Sequence, residues 1–299
     1  MPAMKRNLVL VVALILAALP DAVVGIEKEQ IYFPLQIPRS AEEMAGSWAI
    51  SMELGYIDIE AKTGIVNLLE PGHPMPKPGD LYLIKEPARI QKILKLSGVS
   101  LKDEFTLLSK SGKPARAQIS GFAYFHPAHG PVLTLALLQP SGDPGFAGET
   151  WVLAIKNFTE DKKQKLNVIK MEDDSGDACN GLLAKCKSSW PGEKILETVC
   201  KKIETGDKPV YFASFWHRPA GEFDIEDLQT ASCVMEMGDQ AGLLAVPQGI
   251  FPEFAFSFSR KDEFYLLGTG GSGAEVCRAL LEYKSGRFSL LNQGLCLGY

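Results

Sequence analysis

"YLLGTGGSGAEVCRALLEYKSGRFSLLNQG", residues 265–294, carries Gly268, Gly270 and Gly273 in the spacing G-x-G-x-x-G directly after an apolar run. Two folds can be built from it. A dinucleotide-binding unit needs a strand, a glycine turn, a helix, and a second strand bearing an acid for the ribose. "FYLL" supplies the strand, and "AEVCRALLEY" would line Val276, Cys277, Leu280 and Leu281 along one helix face before the second strand, "RFSLL". The acid is missing, because Asn292-Gln293 stand in its place, and little chain follows to complete a parallel sheet.

The alternative is a β-meander. "AEVCRALLEY" also alternates, with Cys277, Ala279, Leu281 and Tyr283 on one side, and "KSG" turns into "RFSLL". In that arrangement Cys277 approaches Cys296 if the last strand bulges near Gly294. The meander is the expectation taken forward. Ser272 in "GGSGA" does not make a nucleophile elbow, since Ala274 occupies the final glycine position and no histidine follows His217.

The rest of the chain supplies context. It has 299 residues, 46% hydrophobic and 22% charged, a globular composition long enough for two ordinary domains. A net charge of −5 and the lack of a long basic run argue against a phosphate-binding surface, so no nucleic-acid partner is expected. Lys5 and Arg6 precede "NLVLVVALILAALP", an uncharged stretch shorter than the ~20 residues a spanning helix needs. With Pro20, Asp21 and small residues up to Gly25, it reads as a signal peptide over 1–25. The expected protein is secreted or periplasmic, with no stable membrane insertion after cleavage.

All six cysteines fall in the second half: Cys179, Cys186, Cys200, Cys233, Cys277 and Cys296. An even count in an exported chain points to disulfides. The asymmetry also marks a boundary, giving a β-rich domain over 26–172 and a cysteine-containing α+β domain over 173–299. "MEDDSGDACN" (171–180), at the joint, is too incomplete for a calcium loop and reads as an acidic linker or helix start.

Residues 40–171 hold about nine apolar or alternating stretches, among them "DLYLIKE", "RIQKILKL", "EFTLLS" and "TWVLAIKNF", separated by Pro, Gly and Asp clusters. The fold class is mainly β or α+β, with an N-terminal antiparallel barrel or sandwich. The C-terminal part is expected to contain a helical hairpin and the meander. "ACNGLLAKCK" forms the first helix; "PGEKILETVCKKIETG" forms the second, with Ile195, Leu196, Val199, Cys200 and Ile203 on one face. "DIEDLQTASCVMEMG" is read as a further helix. Cys179 and Cys186 sit seven apart, a rise of about 10.5 Å, beyond disulfide reach within one unbroken helix. A Cys186–Cys200 bridge across the hairpin is one candidate among the pairings.

Gly46-Ser47-Trp48, opening the first strand after a short helical turn, resembles the G-x-W of lipocalins and related small barrels. The resemblance covers the N-terminal half only. It implies a barrel whose mouth takes a small apolar ligand, with Trp48 as a ligand-binding candidate.

Four histidines complete the inventory. His126 and His129 in "FHPAHG" are the metal-binding candidates, with His73 and Met75 nearby in type. His217 is a potential partner for any free thiol. Asn157-Phe158-Thr159 matches a glycosylation sequon. No catalytic constellation emerges and no cofactor is called for. The reading is an exported, non-catalytic binding or interaction protein whose partner is a small apolar ligand or another protein. The competing reading is an exported hydrolytic or metal-dependent enzyme using its loop histidines.

Overall fold

A curled antiparallel sheet, a half-barrel in outline, is built from the first half of the chain. Its strands are β1 (Ile31–Tyr32), β2 (Pro34–Leu35), β3 (Ile50–Glu53), β4 (Leu81–Ile84), β5 (Glu104–Ser109), β6 (Pro114–Phe125), β7 (Leu133–Ser141) and β8 (Trp151–Lys156), with helix α1 (Pro87–Ser97) between β4 and β5. The computed structural model describes residues 31–35, 50–53, 81–125, 133–141, 151–158, 165–205, 208–221, 228–236, 243–244, 246, 249–258, 263–272 and 275–298.

The strands run in the order β1-β8-β5-β6-β7-β3-β2, with β4 beside the far end of β6. Both ends of that order belong to one short stretch of chain. Ile31 and Tyr32 pair with Ile155 and Ala154, while Pro34 and Leu35 pair with Met52 and Ser51. Residues 31–35 therefore meet both edges of the curl. On one face of the sheet Phe105, Phe122, Tyr124 and Trp151 pack with Ile93 of α1 into a single buried cluster.

"RIQKILKL" was expected as a strand and is the body of α1. Ile90, Ile93 and Leu94 fall at helical spacing, Pro87 supplies a preset φ at the N-terminus, and Gly98 closes the helix at φ 68.

The second half adds β9 (Leu166–Ile169), β10 (Met171–Asp173), helix α2 (Asp177–Ser188), β11 (Glu193–Ile203), β12 (Val210–Pro219), β13 (Gln229–Glu236), β14 (Leu243–Leu244), β15 (Phe251–Phe258), β16 (Glu263–Gly271), β17 (Glu275–Lys284) and β18 (Arg287–Gly298). They form two five-stranded sheets, β10-β11-β12-β13-β14 and β18-β17-β16-β15-β9. Phe212, Val234, Phe264, Leu266, Leu281 and Phe288 interlock between these sheets. The other face of the β10–β14 sheet carries α2. β9 and β10 are one stretch, broken at Lys170, that passes from the sheet containing β15–β18 into the sheet containing β11–β14.

The described residues of 265–294 form a meander. β16, β17 and β18 pair antiparallel in succession, and 275–284 is strand, not helix. Among the described residues no helical hairpin forms in the second half. Residues 191–206 contribute strand β11, not the expected helix. A register shift between Ile195 and Thr198 explains the deception. The bulge switches strand parity, so Ile195 and Cys200 both face α2. A bulged strand thereby reproduces the spacing of a helix face, and the β-branched Ile195, Thr198, Val199 and Ile203 suit the pleat. "DIEDLQTASCVMEMG" is likewise strand and not helix over Gln229–Glu236, since β13 pairs residue for residue with β12 from Val210↔Glu236 to His217↔Gln229. Cross-strand partners outweighed local helix propensity in both places.

Candidate functional site

Three arrangements concentrate polar or covalent chemistry, and all lie in the second half. The first is the stapled helix. Asp177, within the acidic joint, opens α2, its carboxylate in the first turn where the helix dipole favours it. One face of α2 buries Cys179, Leu182 and Cys186. Cys179 bonds to Cys200 on β11, and Cys186 bonds to Cys233 on β13. The candidate Cys186–Cys200 pair is thus replaced. Cysteines two turns apart on one helix face reach different strands on either side of β12, and the helix is clamped over Tyr211, Ala213 and Phe215. Cys277 and Cys296, direct cross-strand partners, form the third bridge.

The second arrangement is His217. It lies near the end of β12, 8% exposed, with its Nδ1 against a carboxylate oxygen of Glu193. Trp190 and Phe215 flank the ring at centroid distances of 5.7 and 6.0 Å, and touch each other at 5.2 Å. A carboxylate holding one ring nitrogen is how a general base is oriented. A nucleophile is what such a pair needs, and all six cysteines are in disulfides. Among the described residues no hydroxyl is bonded to His217. The cluster therefore holds the Trp190 turn against the sheet.

The third is a glycine seam. Ser214 Oγ donates to the carbonyl of Ile250 at 2.6 Å, and Ser232 Oγ both donates to that carbonyl and accepts from the Ile250 N–H, each at 2.9 Å. Thr230 Oγ1 does the same for Gly271, accepting from its N–H at 3.0 Å and donating to its carbonyl at 3.1 Å. Gln229 and Ser272 form an isolated bridge beside them. The hydroxyls of β12 and β13 thus lace their sheet to the chain around Ile250 and Gly271. Backbone runs against backbone here: a Cβ on Gly249, Gly268 or Gly270 would strike the carbonyls of Thr230, Phe251 or Gly249 respectively. Gly268 and Gly270, two of the glycines that imitate a phosphate loop, stand where backbones approach too closely for side chains.

Trp48, His73, His126 and His129 lie outside the described residues. Among the described residues no group of three or more His, Cys, Asp or Glu could hold a metal ion, and no helix is long and apolar enough to cross a membrane. Asn157, exposed at the end of β8, adopts φ 53 and accepts a hydrogen bond from the Glu104 N–H at 3.3 Å. The His217–Glu193 pair escaped sequence reading because its members are 24 residues apart on neighbouring strands. Only the correct β11–β12 register brings them together. The seam did leave a signal, namely glycines inside an apolar strand.

No family model, curated protein or solved structure matches the chain.

Proposed function

We propose that this is an exported, non-catalytic interaction protein that recognises a macromolecular partner with its surface. The observation that carries the reading is that its chemistry is spent internally. All six cysteines are consumed in three bridges. His217 is enclosed by Glu193, Trp190 and Phe215, and the seam hydroxyls serve backbone groups. Disulfides on this scale belong to an oxidising compartment, which supports export, as does the signal-like segment over 1–25.

The lipocalin-like version, with a small apolar ligand in the barrel, draws less support. Phe105, Phe122, Tyr124 and Trp151 already fill the packed face of the curled sheet, and α1 adds Ile93 to them. A surface partner suits a filled interior better than a cavity ligand does.

Mass spectrometry of protein recovered from the export compartment tests both parts. A denatured mass corresponding to cleavage after Gly25, less two hydrogens for each bridge, is the expected result; an uncleaved, fully reduced chain sinks the exported reading. Under native conditions the protein should fly without a small ligand. A retained apolar molecule restores the barrel-binding version, and a retained metal favours the enzyme that uses His126 and His129.

A further inference from the structure

We propose that the Cys277–Cys296 disulfide is a redox-sensitive clasp, and that its oxidation fixes residues 31–35 and so fastens the two edges of the N-terminal sheet. The inference rests on the exported reading, which supplies the change of compartment that would operate it.

Residues 31–35 pair with both edges of the curled sheet, through Ile155 and Ala154 on one side and Met52 and Ser51 on the other. Among the described residues each pairing is two residues long, too little backbone to hold a strand alone. Tyr32 packs edge-on against Phe105 of the core, and a further hold comes from the C-terminal meander. Arg278 Nη1 donates to the carbonyl of Pro34 at 2.7 Å, and Asn292 Nδ2 donates to the carbonyl of Ile31 at 2.8 Å. Phe33, 3% exposed, packs against Gly294, where a Cβ would meet its ring at 3.0 Å.

These holding residues cluster at a weak place. The β17–β18 ladder shifts register between Cys277 and Ala279, so that Arg278 stands opposite both Gly294 and Leu295. β18 is an edge strand among the described residues, and there the ladder continues beyond this bulge for three rungs, Cys277↔Cys296, Val276↔Leu297 and Glu275↔Gly298. A bulge interrupts the ladder it sits in. The disulfide lies on the first rung past it, adjacent to Arg278, and is the covalent link that keeps the bulge closed.

This bridge is also the accessible one. Cys179, Cys186, Cys200, Cys233 and Cys277 are buried, whereas Cys296 is partly exposed. Thiol–disulfide exchange needs access to a sulfur. An external thiolate attacks Cys296 Sγ, the Sγ–Sγ bond breaks, and Cys277 leaves as a thiolate. A second external thiolate then displaces Cys296, so two electrons enter the protein and the reductant departs as its own disulfide. Closing the clasp is the reverse, with the two electrons and two protons passing to an oxidant of the disulfide class.

Hydrogen–deuterium exchange read by mass spectrometry tests the clasp, comparing the full oxidised chain with a Cys277→Ser/Cys296→Ser variant. Amides of 31–35 and of their partners at 154–155 should exchange at least about tenfold faster in the variant. Those of 211–215, under the other two bridges, should not change. Unchanged protection at 31–35 overturns the proposal, as does a variant in which 211–215 opens equally. Should that variant fail to fold, Arg278→Met keeps the disulfide and removes the hold on Pro34. It should expose 31–35 in the oxidised protein and reduce the effect of dithiothreitol there; protection equal to wild type overturns the proposal. Failure of the exported reading would appear separately, as reduced cysteines in protein recovered from cells.

Discussion

Replacing Gly270 by alanine tests the account of the glycine seam. The new methyl would lie 3.0 Å from the carbonyl carbon of Gly249 and 3.1 Å from Ile250 Cα, with the Gly249 carbonyl oxygen far inside contact distance. All three obstacles are backbone, so no rotamer change relieves them. The β16 backbone must move away from Gly249 and Ile250. Forced overpacking of this kind costs about 1–3 kcal/mol. Displacement also strains the reciprocal bonds of Thr230 with Gly271 and of Ser232 with Ile250. Losing one or two of those adds about 1 kcal/mol each. The expected destabilisation is therefore about 2–5 kcal/mol, a large part of a typical domain's 5–15 kcal/mol. At about 2–4 °C per kcal/mol, Tm should fall by on the order of 4–20 °C. Urea unfolding followed by tryptophan fluorescence, together with calorimetry, measures both quantities. A Gly270→Ala variant within about 0.5 kcal/mol of wild type would refute the close approach. Measurable affinity of the wild type for a dinucleotide, abolished in the variant without loss of stability, would restore the phosphate-loop reading.

Gly181→Ala is the matching control. Gly181 is exposed inside α2 with nothing within 4 Å of its would-be Cβ, so urea unfolding should show a gain of about 0.5–1 kcal/mol. Leu266→Ala empties a fully buried site between the two C-terminal sheets and should cost about 2–5 kcal/mol by the same measurement. Removing the Cys179–Cys200 bridge as the double serine variant should cost about 2–4 kcal/mol, read as a shift in the urea midpoint. Lys170 gives a pH expectation. Its hydrogen bond to Glu172 is the main cause, with the charges of Glu172 and Glu204 adding to it, of a pKa raised above the usual 10.5. A raised pKa means the charged form is favoured on folding. Any contribution is thus fully present below 10.5 and is lost only as pH climbs through the raised value. Lys170 is solvent-exposed, so wild type and Lys170→Gln should show parallel stability–pH profiles across the neutral range, and a divergence there would contradict the assignment.

How much was legible varies with the kind of signal. Alternation in "AEVCRALLEY" matches β17, because burial of one sheet face leaves a period of two. The even cysteine count announces bridges, and the proximity of Cys277 to Cys296 follows from the meander register with a bulge near Gly294. The errors have two causes. β11 imitates a helix through its bulge, β13 gains its state from pairing with β12, and α1 has the helical spacing of Ile90, Ile93 and Leu94 within a run of strands. In β11 and β13 neighbouring elements decided the outcome, whereas α1 carried local helix signals that its setting among strands obscured.

The sequence by itself determined that the chain is globular, rich in strands, poor in basic surface and built to bond its cysteines in pairs. Those properties are local or compositional, and the chain carries them before it folds. Only the tertiary structure decided which cysteine meets which, why Gly268 and Gly270 must lack side chains, and that Ile31–Leu35 is held by Arg278 and Asn292 from the far end of the chain. Such facts depend on contacts between residues separated by tens to hundreds of positions, and no local pattern of residues records them.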